Sequence, residues 1–195
     1  MSHIDLEPAA QRLGALVRAV PDEALARPTP CPDYCVGDLL QHLGGFATAF
    51  RAAAAKDIAL TGDPPSGDAS RLPDDWRDRI PNDLLAMAEA WRDPEAWTGM
   101  TQAGGVELPG EVAGLVALDE LVVHGWDVAK SVGQPYEADG AELEAVRGFV
   151  GPISEAPAEE RGGLFGPPVA VPDDAPELDR IVGLTGRDPA WTPRA

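Results

Sequence analysis

The chain has 195 residues, 44% of them apolar and 25% charged, and 33 acidic against 15 basic side chains leave a net charge of −18. That length and composition suit one soluble domain with a substantial core. The negative field repels nucleic-acid phosphates and anionic lipid, no Lys/Arg cluster offsets it, and no apolar run approaches the roughly 20 residues that cross a bilayer, so nucleic acid and membranes are excluded as expected partners.

The opening stretch, MSHIDLEPAAQRLG, lacks the basic and apolar regions of a signal peptide, which makes a cytoplasmic protein the expectation. Leu6, Leu13, Leu16, Val17 and Val20 recur near helical spacing and predict a first helix ending before Pro21. RPTPCPD follows as a rigid connector. Its Cys31, and Cys35 beyond it, read as small packing or capping residues, because two cysteines make no disulfide scaffold and a lone C-x3-C pair is a poor zinc signal. VGDLLQHLGGFATAFRAAAA predicts a second helix, entered through a capping box with Cys35 where Ser or Thr is usual and Asp38 three residues on.

LTGDPPSGDASRLPDDW is turn and loop material with the composition of a mobile flap. PNDLLAMAEAWRDPEAW restarts a helix, with Pro81 near its first turn and Asp83 favourable to the dipole. WTGMTQAGGVELPG predicts a short hairpin around Gly104 and Gly105. A long helix is expected from Glu111 to Val132, stopped by Gly133 and Pro135. ADGAELEAVRGFV predicts a further short helix, and after Gly151 the chain reads as looser. APELDRIVGLTG predicts a last helix, capped at Asp174 or nearby and closed by Gly186. The sum is a mainly α protein: a four-helix bundle over residues 1–150, with a short hairpin and a C-terminal extension over 151–195 packed on the same domain.

The chemistry concentrates in the long helix. At about 100° per residue, Glu120, His124 and Asp127 share one face, and Ser131 extends the line. Glu120 and His124, one turn apart, can aim both side chains at one point, as a metal requires of two ligands on one helix. A solvated face accounts for the same pattern: Asp119 and Lys130 lie only a little further round, although Val116, Val123 and Trp126 make that arc untidy. His42 lies on the inward side of its helix beside Leu39, Phe46 and Phe50, where a histidine is either a hydrogen-bonded core residue or a ligand. Were the two helices neighbours, His42 would meet Glu120 and His124, and two imidazoles with a carboxylate are a recurrent catalytic zinc set. On the residues alone both readings stand.

TPCPDYCVGDLLQHLGG and ELVVHGWDVAKSVGQP together resemble the actinobacterial DinB-like proteins, specifically the metal-binding domain of mycothiol-dependent maleylpyruvate isomerases. The tail FGPPVAVPDDAPELDRIVGLTGRDPAW is similar to that of an uncharacterised branch of this group. The resemblance implies a four-helix bundle holding a divalent metal between helices, with His42, Glu120 and His124 as ligands. Asp127 matches the last position of the His-Gly-Trp-Asp signature and is expected to orient a ligand or handle a proton. Trp126 is expected to pack. Tyr34 stands where the family usually has Trp, and Cys35 where it has Thr.

Three protein ligands leave zinc an open position, in which a thiol is deprotonated at neutral pH and water becomes hydroxide. By resemblance the thiol is mycothiol and its partner a small electrophile. Zinc is the first expectation, though Ni, Mn and Fe accept the same ligands. The expected function is a metal-dependent thiol transferase or isomerase-like enzyme. The alternative is a non-catalytic metal- or small-molecule-binding protein, because the isomerases carry a separate C-terminal α/β domain that contributes to catalysis, and the stretch after Gly151 is too short for one. The family also implies a homodimer.

Overall fold

The computed structural model describes residues 3–57, 67–159 and 164–193. Helix α1 runs Glu7–Ala19, with Pro8 in its first turn, where a missing N–H is no loss. Helix α2 runs Val36–Ala54, and its capping box is formed: the Cys35 backbone N–H donates to Asp38 Oδ2 at 3.0 Å. The segment read as a flap begins in residues 60–66, outside the described residues; its remainder includes a short 3-10 turn, Ala69–Arg71.

Helix α3 runs Trp76–Ala90, so it starts five residues earlier than expected and carries Pro81 in its interior instead of its first turn. Trp76, Ile80, Leu84 and Met87 form one buried stripe that continues through the proline, and packing of that stripe outweighs the lost N–H. Pro81 is itself buried against α1, where a Cβ on Gly14 would stand 3.1 Å from Pro81 Cβ.

Strands β1, Met100–Ala103, and β2, Val106–Pro109, make the expected hairpin. Gly104 and Gly105 both have positive φ, 55° and 76°, as a tight two-residue turn of matching twist requires. Thr101 Oγ1 ties the hairpin to α2 through the carbonyl of Ala53 at 2.6 Å. Helix α4 runs Gly110–Val132 and ends on Gly133 in the left-handed region, with Gln134 N–H returning to the Ala129 carbonyl at 2.9 Å. Helix α5 runs Gly140–Glu155, past Gly151 and through Pro152, and is therefore longer than expected. Helix α6 runs Glu177–Leu184. Its N-cap is Pro176 with no side-chain cap, not Asp174, while Gly186 at φ 87° ends the segment as expected.

The fold is a four-helix bundle in which α1 and α2 each pack against both α3 and α4. Helix α5 covers a further side of α4, and α6 packs on α5. No helix among the described residues is long and apolar enough to cross a membrane. Enclosure of α4 has a local signature at Gly125, where a Cβ would lie 2.7 Å from the Tyr136 hydroxyl and 2.8 Å from its ring. Overpacking of this kind costs about 1–3 kcal/mol. Gly125→Ala is thus expected to lower the chemical-denaturation free energy by that amount, and an unchanged midpoint would show that Tyr136 moves aside freely.

Candidate metal centre

The contact between α2 and α4 sets the site. His42 projects from α2 with 12% of its side chain exposed, and its Nε2 lies 3.0 Å from Glu120 Oε2. His124, one turn beyond Glu120 on α4, places Nε2 3.2 Å from the same oxygen. The two imidazoles meet edge to face with centroids 5.1 Å apart. The ligating atoms of His42, Glu120 and His124 all lie within 4.8 Å of one another. All three residues singled out from the sequence are brought together.

The polar arc of α4 is not a wet face. His124 is 7% exposed, and Asp127 and Ser131 are fully buried. The cover comes from the segment after α6: Arg187 donates from Nε to Asp127 Oδ1 at 3.0 Å and from Nη2 to Oδ2 at 2.9 Å. Asp127 Oδ2 in turn lies 2.8 Å from His124 Nδ1. That contact engages Nδ1 and leaves Nε2 toward Glu120 and His42, the arrangement by which a carboxylate orients a metal-binding histidine. Ser131, on the same line, only returns its hydroxyl to the Asp127 carbonyl at 2.7 Å. Trp126 is buried, as expected of a packing residue, and carries Lys130 Nζ 5.3 Å from its ring centroid.

Burial alone would push the Glu120 carboxyl up, but the imidazoles of His124 and His42 outweigh it and hold it below the usual carboxylate range. Burial pulls His124 down, while Glu120 and Asp127 together hold it up at about 9. Asp127 is likewise pushed up by burial and held low by Arg187, then by His124. Two imidazoles and a carboxylate converging on one point are a donor set that fits a divalent ion.

The cluster opens on a pocket of about 450 Å³, whose walls include Cys31, Tyr34, Val123, Leu164, Phe165 and Arg187. The sequence reading missed Arg187. Nothing local marks it, because its partner Asp127 lies 60 residues away and an isolated arginine near a C-terminal helix has no periodicity to betray it. Asp119, read only as one of the polar positions on the wheel, is 4% exposed and lines the pocket. Burial, with Glu120 beside it, pushes its carboxyl up to about 7.

Cys31 lines the pocket but is a poor nucleophile: burial pushes its thiol up to about 11 from an ordinary 9.0. Only the thiolate reacts, and its fraction below the pKa falls tenfold per unit. Alkylation of Cys31 by iodoacetamide at pH 7.5, followed by peptide mass spectrometry, is therefore expected to run about a hundredfold slower than for a free cysteine, and to quicken with rising pH. Labelling at the free-thiol rate would contradict this.

A family model for the mycothiol maleylpyruvate isomerase N-terminal domain matches residues 6–129, a span from α1 into α4 that includes His42, Glu120, His124 and Asp127. Two uncharacterised proteins from Mycobacterium tuberculosis, of strains CDC 1551 / Oshkosh and ATCC 25618 / H37Rv, are each 27% identical over 191 residues, covering 96% of this chain and 96% of theirs. Crystal structures of a mycothiol-dependent maleylpyruvate isomerase and of a histidine-to-alanine mutant superpose with TM-scores of 0.57 and 0.58, at 13% and 14% identity over 76% of this chain. At that identity the likeness is one of fold. This chain spans 66% of the length of the isomerase chain.

Proposed function

The chain belongs to the mycothiol maleylpyruvate isomerase N-terminal domain family, and on that premise we propose that His42, Glu120 and His124 hold a divalent cation at the wall of a pocket that admits a small thiol and an electrophile. The observation that carries this reading is the convergence of the three ligating atoms within 4.8 Å, contributed by two helices. Zinc is the first candidate, and Ni, Mn or Fe would accept the same donors. A cation bound there would supply charge to deprotonate a thiol, or water, entering its open position.

The remaining roles fall to the chain's own groups. Asp127 fixes the orientation of His124, and Arg187 fixes Asp127. Tyr34 packs its ring 5.4 Å from that of His42 and limits its swing. Val123, Leu164 and Phe165 give the pocket apolar surface against the carbon skeleton of a guest. Residues 151–195 are taken as an extension of the same body as residues 1–150, a reading supported by the ion pair of Arg187 with Asp127.

The test is consumption of an electrophile, maleylpyruvate or chlorodinitrobenzene, by metal-loaded protein with and without mycothiol. Thiol-dependent, metal-dependent turnover is expected. Saturable thiol binding without turnover would favour a second reading, a non-catalytic binding protein.

A further inference from the structure

Asp119 takes no part in the cluster just described. It precedes Glu120 on α4, is 4% exposed and lines the same pocket, yet its Oδ1 accepts no hydrogen bond from any described residue. Its neighbours on that helix are all engaged: Glu120 with the two imidazoles, His124 with Asp127, Asp127 with Arg187. Arg187 and His124, whose charges reach Asp119, are both directed elsewhere: Arg187 to Asp127 and Thr185, His124 to Glu120 and Asp127. A carboxylate oxygen taken from water and left unpaired is unfavourable, and folds seldom keep one unless a donor arrives from elsewhere.

We propose that Asp119 is a recognition residue of this pocket, and that its guest carries a hydroxyl or a protonated amine to donate to it. The proposal rests on the functional reading above for the thiol end of the guest and adds the donor end. A purely apolar guest of equal size would leave the carboxylate buried and unsatisfied, so the pocket discriminates against it. Sites built to hydrogen-bond a ligand reject the analogue lacking that group far more strongly than apolar pockets reject a missing methylene. The cavity of about 450 Å³ is of the size that takes a small organic molecule.

Cobalt(II)-loaded protein reports thiol binding through the thiolate-to-cobalt absorption band. Three series serve as probes: aminoalkanethiols of two to four carbons, hydroxyalkanethiols of the same lengths, and plain alkanethiols. At least one amino- or hydroxythiol is expected to bind about tenfold or more tightly than the matching alkanethiol, and that ratio is expected to fall toward one in Asp119→Ala. An advantage confined to the amino series identifies ammonium as the donor, and one confined to the hydroxy series identifies hydroxyl. Asp119→Asn, which keeps an accepting oxygen without the charge, is expected to retain a hydroxyl preference and lose an ammonium one. Equal affinities across the three series, or a preference surviving in Asp119→Ala, overturns the role of Asp119 alone. Absence of cobalt binding, or of any thiolate band with cobalt bound, overturns the functional reading and this inference with it.

Discussion

His42→Ala protein, dialysed and assayed by elemental analysis, is expected to retain almost none of the divalent metal that the proposed function assigns to the unaltered chain. On the proposed reading the substitution removes the ligand from α2 and leaves Glu120 and His124, both on α4. Two ligands from one helix hold an ion poorly, and the fall in affinity should exceed the 10–100-fold that follows loss of an outer hydrogen-bond partner. His42 keeps some contact with solvent, so the alanine variant should fold, and its far-ultraviolet circular dichroism should match the parent's. His124→Ala is expected to lose metal equally. His3→Ala, by contrast, alters a ring stacked on Trp97 and should retain it. Equal metal content in the His42 and His124 variants and the parent would dismiss the site.

Arg187→Ala is expected to give the largest loss of stability. It strips a bidentate partner from Asp127, whose side chain is fully buried, while Arg187 is itself only 11% exposed. Breaking a buried pair from one side costs about 3–5 kcal/mol, and Asp127 would keep only His124 as its partner in the interior. For a chain of this size each kcal/mol moves Tm by about 2–4 °C, so a drop of roughly 6–20 °C is expected in differential scanning calorimetry. Arg187→Lys keeps a charge but loses the planar fork and should fall between. Metal affinity should fall as well, by about 10–100-fold, through looser aim of His124. A Tm within a degree of the parent's would mean that the pair contributes no more than an exposed one.

Much of this site was legible because its signals were local. Glu120 and His124 sit at i and i+4, His42 lies on the inward side of its own helix, and Gly104-Gly105 marks the hairpin. What escaped notice depends on distant partners. The arc bearing Asp119, His124 and Asp127 reads equally well as a solvated face, and it takes distant residues such as Arg187, from beyond α6, to cover it. Pro81 misled in a related way. Propensity places proline in a first turn, but Trp76 and Ile80 bury well enough to extend the helix upstream of it. The length of α5 past Gly151 went unseen for the same reason, since glycine and proline argue locally for a stop.

Helix α4 is a single rod enclosed on several sides, and it carries Glu120, His124, Asp127 and Asp119 together. Those four groups share one rigid frame, so substitutions elsewhere shift them jointly and hardly alter their mutual spacing. Apart from His42 and the α4 side chains, the pocket walls come from separate connectors, residues 31–34, 164–167 and 185–187. The proposed metal-facing groups and Asp119 therefore sit on the rod, whereas most of the surface that would surround the rest of a guest sits in the connectors. Descendants of such an ancestor could exchange walls, and with them diet, while the rod passes down intact.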